Sequence, residues 1–231
     1  MWTSRKLAIV GTTHVDKSSV ERVRRTISET QPSVVAVELD EERLCALRDP
    51  DRDKLDSPVR SGLLPWLLAL LERSVGSLTE VFPGSEMLEA VEEAQRVGAR
   101  VAMIDRPIGA ILEDLRNIPR VEKVKIGVDI LTALIGIGAK RRITLKGADL
   151  QKLMAEFDAK YPTLSQILVK ERDRYMADRL RKILDSTAGR VVAVVGLGHV
   201  SGIVQHLAGQ DQTSSRSHSE LRYGWTLRIF P

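Results

Sequence analysis

The chain has 231 residues, 43% of them hydrophobic and 29% charged, which is the balance of a folded globular domain and excludes a disordered chain. Its net charge of +4 is modest and aromatic residues make up only 4%, so the composition argues against a nucleic-acid-binding surface of basic and stacking side chains. A single cysteine, Cys45, excludes an internal disulfide and a cysteine-rich metal site, and is typical of a reducing cytosol. We predict one domain over residues 1–231.

The sequence predicts a cytoplasmic protein in which no segment spans a membrane. Residues 1–6 lack the apolar core of a signal peptide and lead directly into the first predicted strand. The most apolar helical stretch, residues 126–139, is short, contains glycines and carries Asp129, which favours packing inside the protein or against a partner. The basic run at residues 140–142 leaves contact with an anionic membrane surface or a partner open.

A strand and a helix are predicted at the start of the chain. Residues 7–10 are apolar and short enough for a buried strand, and a glycine turn that contains His14 follows them. Ser18 and Glu21 have the spacing of a capping box, so we expect a helix to begin at Ser18.

The middle of the chain continues with strands and helical segments. Residues 34–37 predict a second buried strand, and Glu38 follows it directly. Residues 50–81 read as a helical insertion that contains an apolar run. A further helix is expected to begin near Ser85, with Glu86 in its first turn.

A third strand, residues 100–104, ends in Asp105 and Arg106. From there a nearly continuous helical layer is expected over residues 108–188, with turns where proline and glycine interrupt it. The length of this layer makes a homodimer a reasonable expectation.

The last predicted strand, residues 191–195, is apolar throughout and therefore reads as buried on both faces of a parallel-type sheet. A Gly-Leu-Gly turn is expected to follow it and to deliver His199 to the end of the strand. Residues 209–220 predict a mobile polar tail, and residues 223–230 an edge strand. These elements together predict an α/β fold with a central mixed, largely parallel β-sheet flanked by helices.

Several polar side chains follow predicted strands where those strands end. Because the carboxyl ends of parallel strands form one crevice, His14, Glu38 and His199 are expected to share a pocket. Imidazole and carboxylate bind divalent metal ions that activate water, and the same groups can also act as general bases without a metal. Asp105 and Arg106 would orient the site or bind a substrate carboxylate, or simply form an ion pair.

Each candidate also has a structural interpretation. A histidine after a glycine turn is often a hydrogen-bonded loop residue, and the repetition of the turn at His14 and His199 favours function. Glu86 would otherwise be a helix-start charge, and residues 171–173 a solvated helix face. Gly11, Gly196 and Gly198 are expected to be structural and to permit the turns.

The sequence resembles the TraB/PrgY/GumN family, whose wider relatives include the TIKI metalloproteases and proteins of the EreA/ChaN-like fold. The resemblance covers most of the chain and is strongest in two Gly-x-x-His boxes separated by a glutamate that follows a strand. The segments that carry it are residues 11–15, 35–43, 84–87, 104–106, 171–177 and 194–200.

The resemblance implies a helix-decorated α/β core and metal-dependent peptide cleavage, with Mn²⁺ or Co²⁺ favoured over Zn²⁺. In the PrgY branch it implies shutdown of a peptide pheromone by sequestration or degradation. A peptide or protein substrate is therefore expected, and no nucleic acid. Many members carry a membrane-spanning C-terminal region, and for residues 1–231 the resemblance implies membrane association only through elements outside this sequence.

By position in the motifs, the resemblance also implies roles for individual residues. It makes His14, Glu38 and His199 the metal-binding or catalytic set. Its other catalytic candidates are Glu86 and Arg106, and its weaker cleft candidates are Asp105, Glu171, Arg172 and Asp173.

Overall fold

The computed structural model describes most of the chain and carries the elements that surround the candidate site. The described residues are 2–3, 6–12, 17–48, 85–134 and 147–214.

The described part of the chain contains a five-stranded sheet of order β1-β2-β5-β3-β4. Strands β2, β5, β3 and β4 run parallel, and β1 pairs antiparallel with β2 at one edge. The predicted α/β fold with a mixed, largely parallel sheet is therefore confirmed. The strands are β1 (Trp2–Thr3), β2 (Leu7–Thr12), β3 (Val34–Val37), β4 (Arg100–Met103) and β5 (Val191–Gly196).

Helices connect the strands and cover both faces of the sheet. A π-helical segment, Gln166–Lys170, joins α7 to α8. The helices are α1 (Lys17–Thr30), α2 (Glu41–Arg48), α3 (Ser85–Arg96), α4 (Ile108–Arg116), α5 (Arg120–Leu134), α6 (Gly147–Lys160), α7 (Pro162–Ser165), α8 (Glu171–Ser186) and α9 (Leu197–Ser214).

The sheet separates two layers of the core, and a third buried cluster lies among α4, α5, α7 and the π-helical segment. On one face α1 and α3 pack through side chains such as Ile27 and Met87. On the other face α8 and α9 pack through Met176, Leu180 and Ile203. Strand β5 is buried along its whole length because it lies between both layers, as its unbroken apolar sequence predicts. Each of these large apolar side chains stabilises the fold by about 1.5–3 kcal/mol on burial.

The predicted placement of Gly11 and Gly196 in turns is wrong, because both strands are longer than expected. Strand β2 continues through Gly11 and Thr12, which pair with Val195 and Gly196 of β5. Helix α9 then begins directly after Gly196, so His199 lies in the first turn of a helix rather than after a loop. The physical reason is that a glycine inside a strand is tolerated where another backbone or side chain approaches closely.

Two further expectations differ at the ends of helices, and two others concern residues that the structure does not describe. Helix α1 begins at Lys17, so Ser18 lies inside the helix and not at its cap. Helix α9 runs to Ser214, so the predicted mobile tail does not begin at residue 209. The insertion over residues 50–81 and the strand over residues 223–230 lie outside the described residues.

None of the helices in the described ranges combines the length and the hydropathy needed to cross a bilayer. Three valines of α5, Val121, Val124 and Val128, are exposed on one side of that helix. Homodimer formation stays a prediction.

Replacing Gly11 with alanine is expected to lower the free energy of unfolding by about 1–3 kcal/mol, the usual effect of overpacking a core. A Cβ at this buried position would lie 2.8 Å from Leu197 Cδ1 and 2.9 Å from Val200 Cγ2, so these two side chains at the start of α9 would have to shift. Urea denaturation followed by circular dichroism measures the change. Gly109→Ala in α4 is the control, since nothing lies within 4 Å of its added methyl group. Equal stability of the two variants would contradict the expectation.

Candidate active site

The candidate site lies at the carboxyl edge of the sheet. Glu38 follows β3, Asp105 lies two residues beyond the end of β4, and His199 follows β5 in the first turn of α9. Because α8 leads into β5, its first turn starts at this same edge and brings Arg172 and Asp173 to it. The parallel strands thus bring together residues that are far apart in sequence.

The centre of the site is the imidazole of His199, which lies between two carboxylates. Nδ1 is 2.6 Å from Asp173 Oδ1, and Nε2 is 3.3 Å from Glu38 Oε1. All three side chains are buried. A neutral imidazole carries only one ring proton, so it donates to one of these carboxylates and turns a lone pair towards the other. Either a second proton or another cation would make both contacts favourable.

The carboxylate of Glu38 is held in place from several directions. The backbone N–H of Gly196 donates to Oε2 at 2.6 Å, and the Arg172 guanidinium donates to Oε1. Burial is the strongest influence on this group and by itself would raise its pKa. The charge that His199 carries when its ring is doubly protonated and the positive charge of Arg172 outweigh burial, so the pKa of Glu38 is lowered. Glu38 is therefore an anion at neutral pH.

Arg172 links the two carboxylates that follow β3 and β4. Besides Glu38, it binds Asp105 through Nε at 3.0 Å and through Nη2 at 2.6 Å. Burial opposes ionisation of Asp105, but Arg172 and then Arg43 lower its pKa to about 2. Arg172 itself is buried, which disfavours its charge, yet Glu38 and Asp105 raise its pKa above the ordinary value. The arginine is thus permanently charged inside the site.

Asp173 differs from the other two carboxylates in its electrostatic environment. Its burial raises the pKa, and the hydrogen bond to His199 offsets this only in part. The two carboxyl groups on either side of the imidazole therefore have pKa values shifted in opposite directions. The pKa of Glu38 is lowered and that of Asp173 is raised. Such divergent pKa values often occur where groups exchange protons.

Sequence reasoning missed Arg43 and Asp40 as parts of this network. Asp40 caps α2 by accepting a hydrogen bond from the backbone N–H of Arg43 at 2.8 Å. The Arg43 side chain then reaches Asp105 Oδ2 at 2.7 Å. The available signal was the spacing of Asp40 and Arg43. Residues three apart at the start of a helix lie on the same side, so Arg43 could have been placed beside Asp40 and near Glu38.

Arg106 and Glu171 lie together on the outer side of the site. The guanidinium of Arg106 binds Glu171 at 2.7 Å and Asp114 at 2.7 Å, and both carboxylates are partly exposed. The Arg106 side chain pairs with these two acids rather than with Asp105. Asp105 Oδ1 instead accepts a hydrogen bond from the Arg106 backbone N–H. The interpretation of residues 171–173 as a solvated face is wrong for Arg172 and Asp173, whose side chains point into the site.

Glu86 and His14 complete the predicted set. Glu86 is 1% exposed in the first turn of α3, so it is a buried acid and not a solvated helix-start charge. Helix α3 leads into β4, which places its first turn towards the carboxyl edge of the sheet. His14 lies outside the described residues, two positions after the end of β2.

Two of the predicted metal ligands have a spacing that fits one divalent ion. With bonds of about 2.0–2.2 Å, neighbouring ligands of a metal ion lie about 3–3.5 Å apart, and His199 Nε2 and Glu38 Oε1 are separated by 3.3 Å. Metal-binding histidines commonly donate their other ring N–H to a carboxylate, as His199 can to Asp173. No cluster of three metal-binding side chains occurs within the described ranges, which do not include His14.

The fold and the site define an α/β protein with a buried histidine–carboxylate centre at the carboxyl edge of a largely parallel sheet. The model of the TraB/PrgY/gumN family matches residues 2–213. The chain therefore belongs to the TraB/PrgY/gumN family.

Individual relatives agree with this assignment. The chain is 34% identical over 212 residues to an uncharacterized protein of Methanocaldococcus jannaschii, with 86% of this chain and 52% of that protein covered. TraB domain-containing proteins of Bos taurus and Homo sapiens are 32% and 30% identical over 232 residues, with 86% of this chain and 61% of each relative covered. The chain thus spans between half and two thirds of the length of these curated relatives.

Among solved structures, ChaN of Campylobacter jejuni, described as binding cofacial haem, overlaps 86% of this chain and 76% of its own. The TM-score of 0.36 and the identity of 13% are too low to transfer its ligand to this protein.

Proposed function

We propose that this protein is a hydrolase that cleaves peptide bonds with the help of a divalent metal ion. The observation that carries the proposal is the buried imidazole of His199 between Asp173 and Glu38. Burying an imidazole between two acids costs folding free energy. Because the pKa values of these acids are shifted in opposite directions, the arrangement suits proton transfer to and from a reacting water.

The described side chains have separate tasks in this proposal. Glu38 and His199 Nε2 face each other and bind or deprotonate the water that attacks the substrate carbonyl. Arg172 keeps Glu38 ionised and fixes its position. Glu86 remains a catalytic candidate through its burial at the same edge. Arg106, already paired with two partly exposed acids, is better suited to the rim, where peptide side chains would contact it.

The metal ion would be held by Glu38, His199 and, as the third ligand, His14. The donor types and the 3.3 Å spacing of the two described ligands support this set. When bound, such an ion lowers the pKa of a coordinated water and polarises the carbonyl under attack. Nitrogen and oxygen donors of this kind suit Mn²⁺, Co²⁺ or Zn²⁺.

A second candidate function is peptide binding without cleavage at the same edge of the sheet. One observation favours it: both oxygens of Glu38 already accept hydrogen bonds, from Arg172 and from the Gly196 backbone. A carboxylate so fully bonded can be a structural ion pair whose neighbours simply form a binding cleft. A metal ion would also have to share Glu38 Oε1 with a guanidinium.

Replacing His199 with alanine is expected to reduce peptide cleavage at least 100-fold, because the variant loses both a general base and a metal ligand. The measurement is digestion of a mixed peptide library by the full chain, with products identified by mass spectrometry. Chelator should abolish cleavage, and added Mn²⁺ or Co²⁺ should restore it. His206→Ala, on the same helix, serves as the control and should retain wild-type rates.

Three other outcomes separate the alternatives. Cleavage that needs His199 but survives chelation indicates acid–base catalysis without a metal. Tight retention of peptides without any product supports the binding function. Cleavage that is unchanged in His199→Ala would refute the assignment of the site.

A further inference from the structure

Helices α8 and α9 meet at an unusually close contact beside His199. Asp173 of α8 is 4% exposed, and its Oδ1 lies 2.6 Å from His199 Nδ1. Its other oxygen lies over Gly202, one turn further along α9. A Cβ on Gly202 would be only 1.9 Å from Asp173 Oδ2 and 2.6 Å from its Cγ. The carboxylate therefore occupies the space that any side chain at position 202 would need.

We propose that Asp173 is a positioning residue that keeps the ring proton of neutral His199 on Nδ1, and that Gly202 provides the space for its carboxylate. The Nε2 lone pair is then directed at Glu38 and at the reacting water or metal ion. This assignment rests on the proposed function and adds to it the identity of the reactive nitrogen. It also replaces the expectation that Asp173 lines the substrate cleft.

The argument follows from the hydrogen-bonding capacity of the three groups. An ionised carboxylate only accepts hydrogen bonds, so Asp173 favours the tautomer with a proton on Nδ1. Glu38 would favour a proton on Nε2, but its Oε1 already accepts a hydrogen bond from Arg172. The contact to Asp173 is also the shorter of the two, 2.6 Å against 3.3 Å. Asp173 therefore determines the tautomer.

Two consecutive residues of α8 hold opposite sides of the centre. Arg172 binds Glu38, and Asp173 binds His199. Since neighbouring residues on a helix point in directions about 100° apart, one helical turn sets the separation of Glu38 and His199. The packing of α8 against α9 therefore fixes the positions of Arg172 and Asp173, and through them those of Glu38 and His199.

The first test uses the isosteric variant Asp173→Asn and nitrogen-15 NMR of the imidazole at about pH 8.5, where an ordinary histidine is neutral. In the wild type, kept metal-free with chelator so that no ion occupies Nε2, Nδ1 should appear protonated and Nε2 unprotonated. In the variant the protonated population should shift towards Nε2, because an amide can donate to Nδ1. The chain has four histidines, and the His199→Gln variant identifies the signals of His199. Asp178→Asn, on the same helix, is the matched control and should change nothing.

The second test uses the paired variants Gly202→Ala and Gly209→Ala in α9. The first places a methyl group against Asp173, whereas nothing lies within 4 Å of the second. We expect Gly202→Ala to alter the His199 ring signals and to reduce kcat at least tenfold with little change in KM. Gly209→Ala should match the wild type in both readouts.

The NMR result stands apart from the proposed function. If the protein cleaves no peptide but the tautomer shifts in Asp173→Asn, the positioning role holds and the hydrolase proposal fails. If His199 keeps the same tautomer in Asp173→Asn, or has its proton on Nε2 in the wild type, the positioning role is refuted whatever the activity. Unfolding of Gly202→Ala does not affect this decision, because Asp173→Asn preserves the shape of the side chain.

Discussion

Replacing Arg172 with methionine is expected to lower the free energy of unfolding by about 3–5 kcal/mol, the largest stability effect of any single change in the site. The side chain of Asp105 is fully buried and that of Glu38 is 7% exposed, so both carboxylates would remain without their shared cation. Methionine fills a similar volume, which restricts the loss to electrostatics and hydrogen bonding. For a chain of this size the expected fall in Tm is about 10 °C.

Urea denaturation and thermal melting measure this effect, with Arg174→Met as the control on the exposed side of the same helix. The control should stay within about 0.5 kcal/mol of the wild type. The triple variant Arg172→Met with Glu38→Gln and Asp105→Asn should recover part of the loss, because the unpaired charges are removed. If Arg172→Met is as stable as Arg174→Met, the bridging role of the guanidinium is wrong.

A second expected result is a loss of stability below about pH 4 that depends on Asp105. The pKa of Asp105 is about 2 in the folded protein, against about 3.9 in an unfolded chain. A lowered folded pKa means that the unfolded state takes up the proton first, so this stabilisation is present above pH 4 and is lost as the pH falls towards 2. This pKa difference between the folded and unfolded states corresponds to about 2–3 kcal/mol of stability. Glu38, whose pKa is also lowered, acts in the same direction.

The measurement is the free energy of unfolding between pH 2 and pH 7 for the wild type and for Asp105→Asn. The variant should be less stable at neutral pH, because Arg172 and Arg43 lose their shared carboxylate. Its free energy of unfolding should also fall less steeply between pH 4 and pH 2. The slope measures the protons taken up on unfolding, and the variant should take up about one fewer. Asp185→Asn, at an exposed position of α8, should leave the pH profile unchanged. Parallel profiles for Asp105→Asn and the wild type would contradict the folded pKa of about 2.

Much of the fold was predictable because its signals are local. The apolar runs at β3 and β5 have no polar side, and their burial on both faces follows from this. The ends of the strands were less predictable. Gly11 and Gly196 suggest turns on local grounds, but they lie in strands because β2, β5 and the start of α9 approach one another closely. Only long-range packing distinguishes these two uses of glycine.

The candidate site shows the same division. That Glu38 and His199 share one edge follows from the rule for parallel strands, and the structure places them 3.3 Å apart. The roles of Arg172 and Asp173 did not follow, because a charged helix start such as residues 171–173 is usually solvated. Whether the side chains of residues 171–173 face solvent or the site depends on the rotation of α8 about its axis. The sequence of α8 alone does not determine that rotation.

The sequence by itself determined the class of fold, the family motifs and the set of polar residues at the ends of the strands, since these depend on local hydrophobicity and spacing. Only the tertiary structure decided which acid meets which base. Strand β5 is the last of the described strands in sequence yet lies between β2 and β3, and α8 and α9 approach one another beside it at a glycine. Hydrogen bonds and charges act over a few ångströms, so the chemistry of His199 depends on contacts that no local pattern specifies.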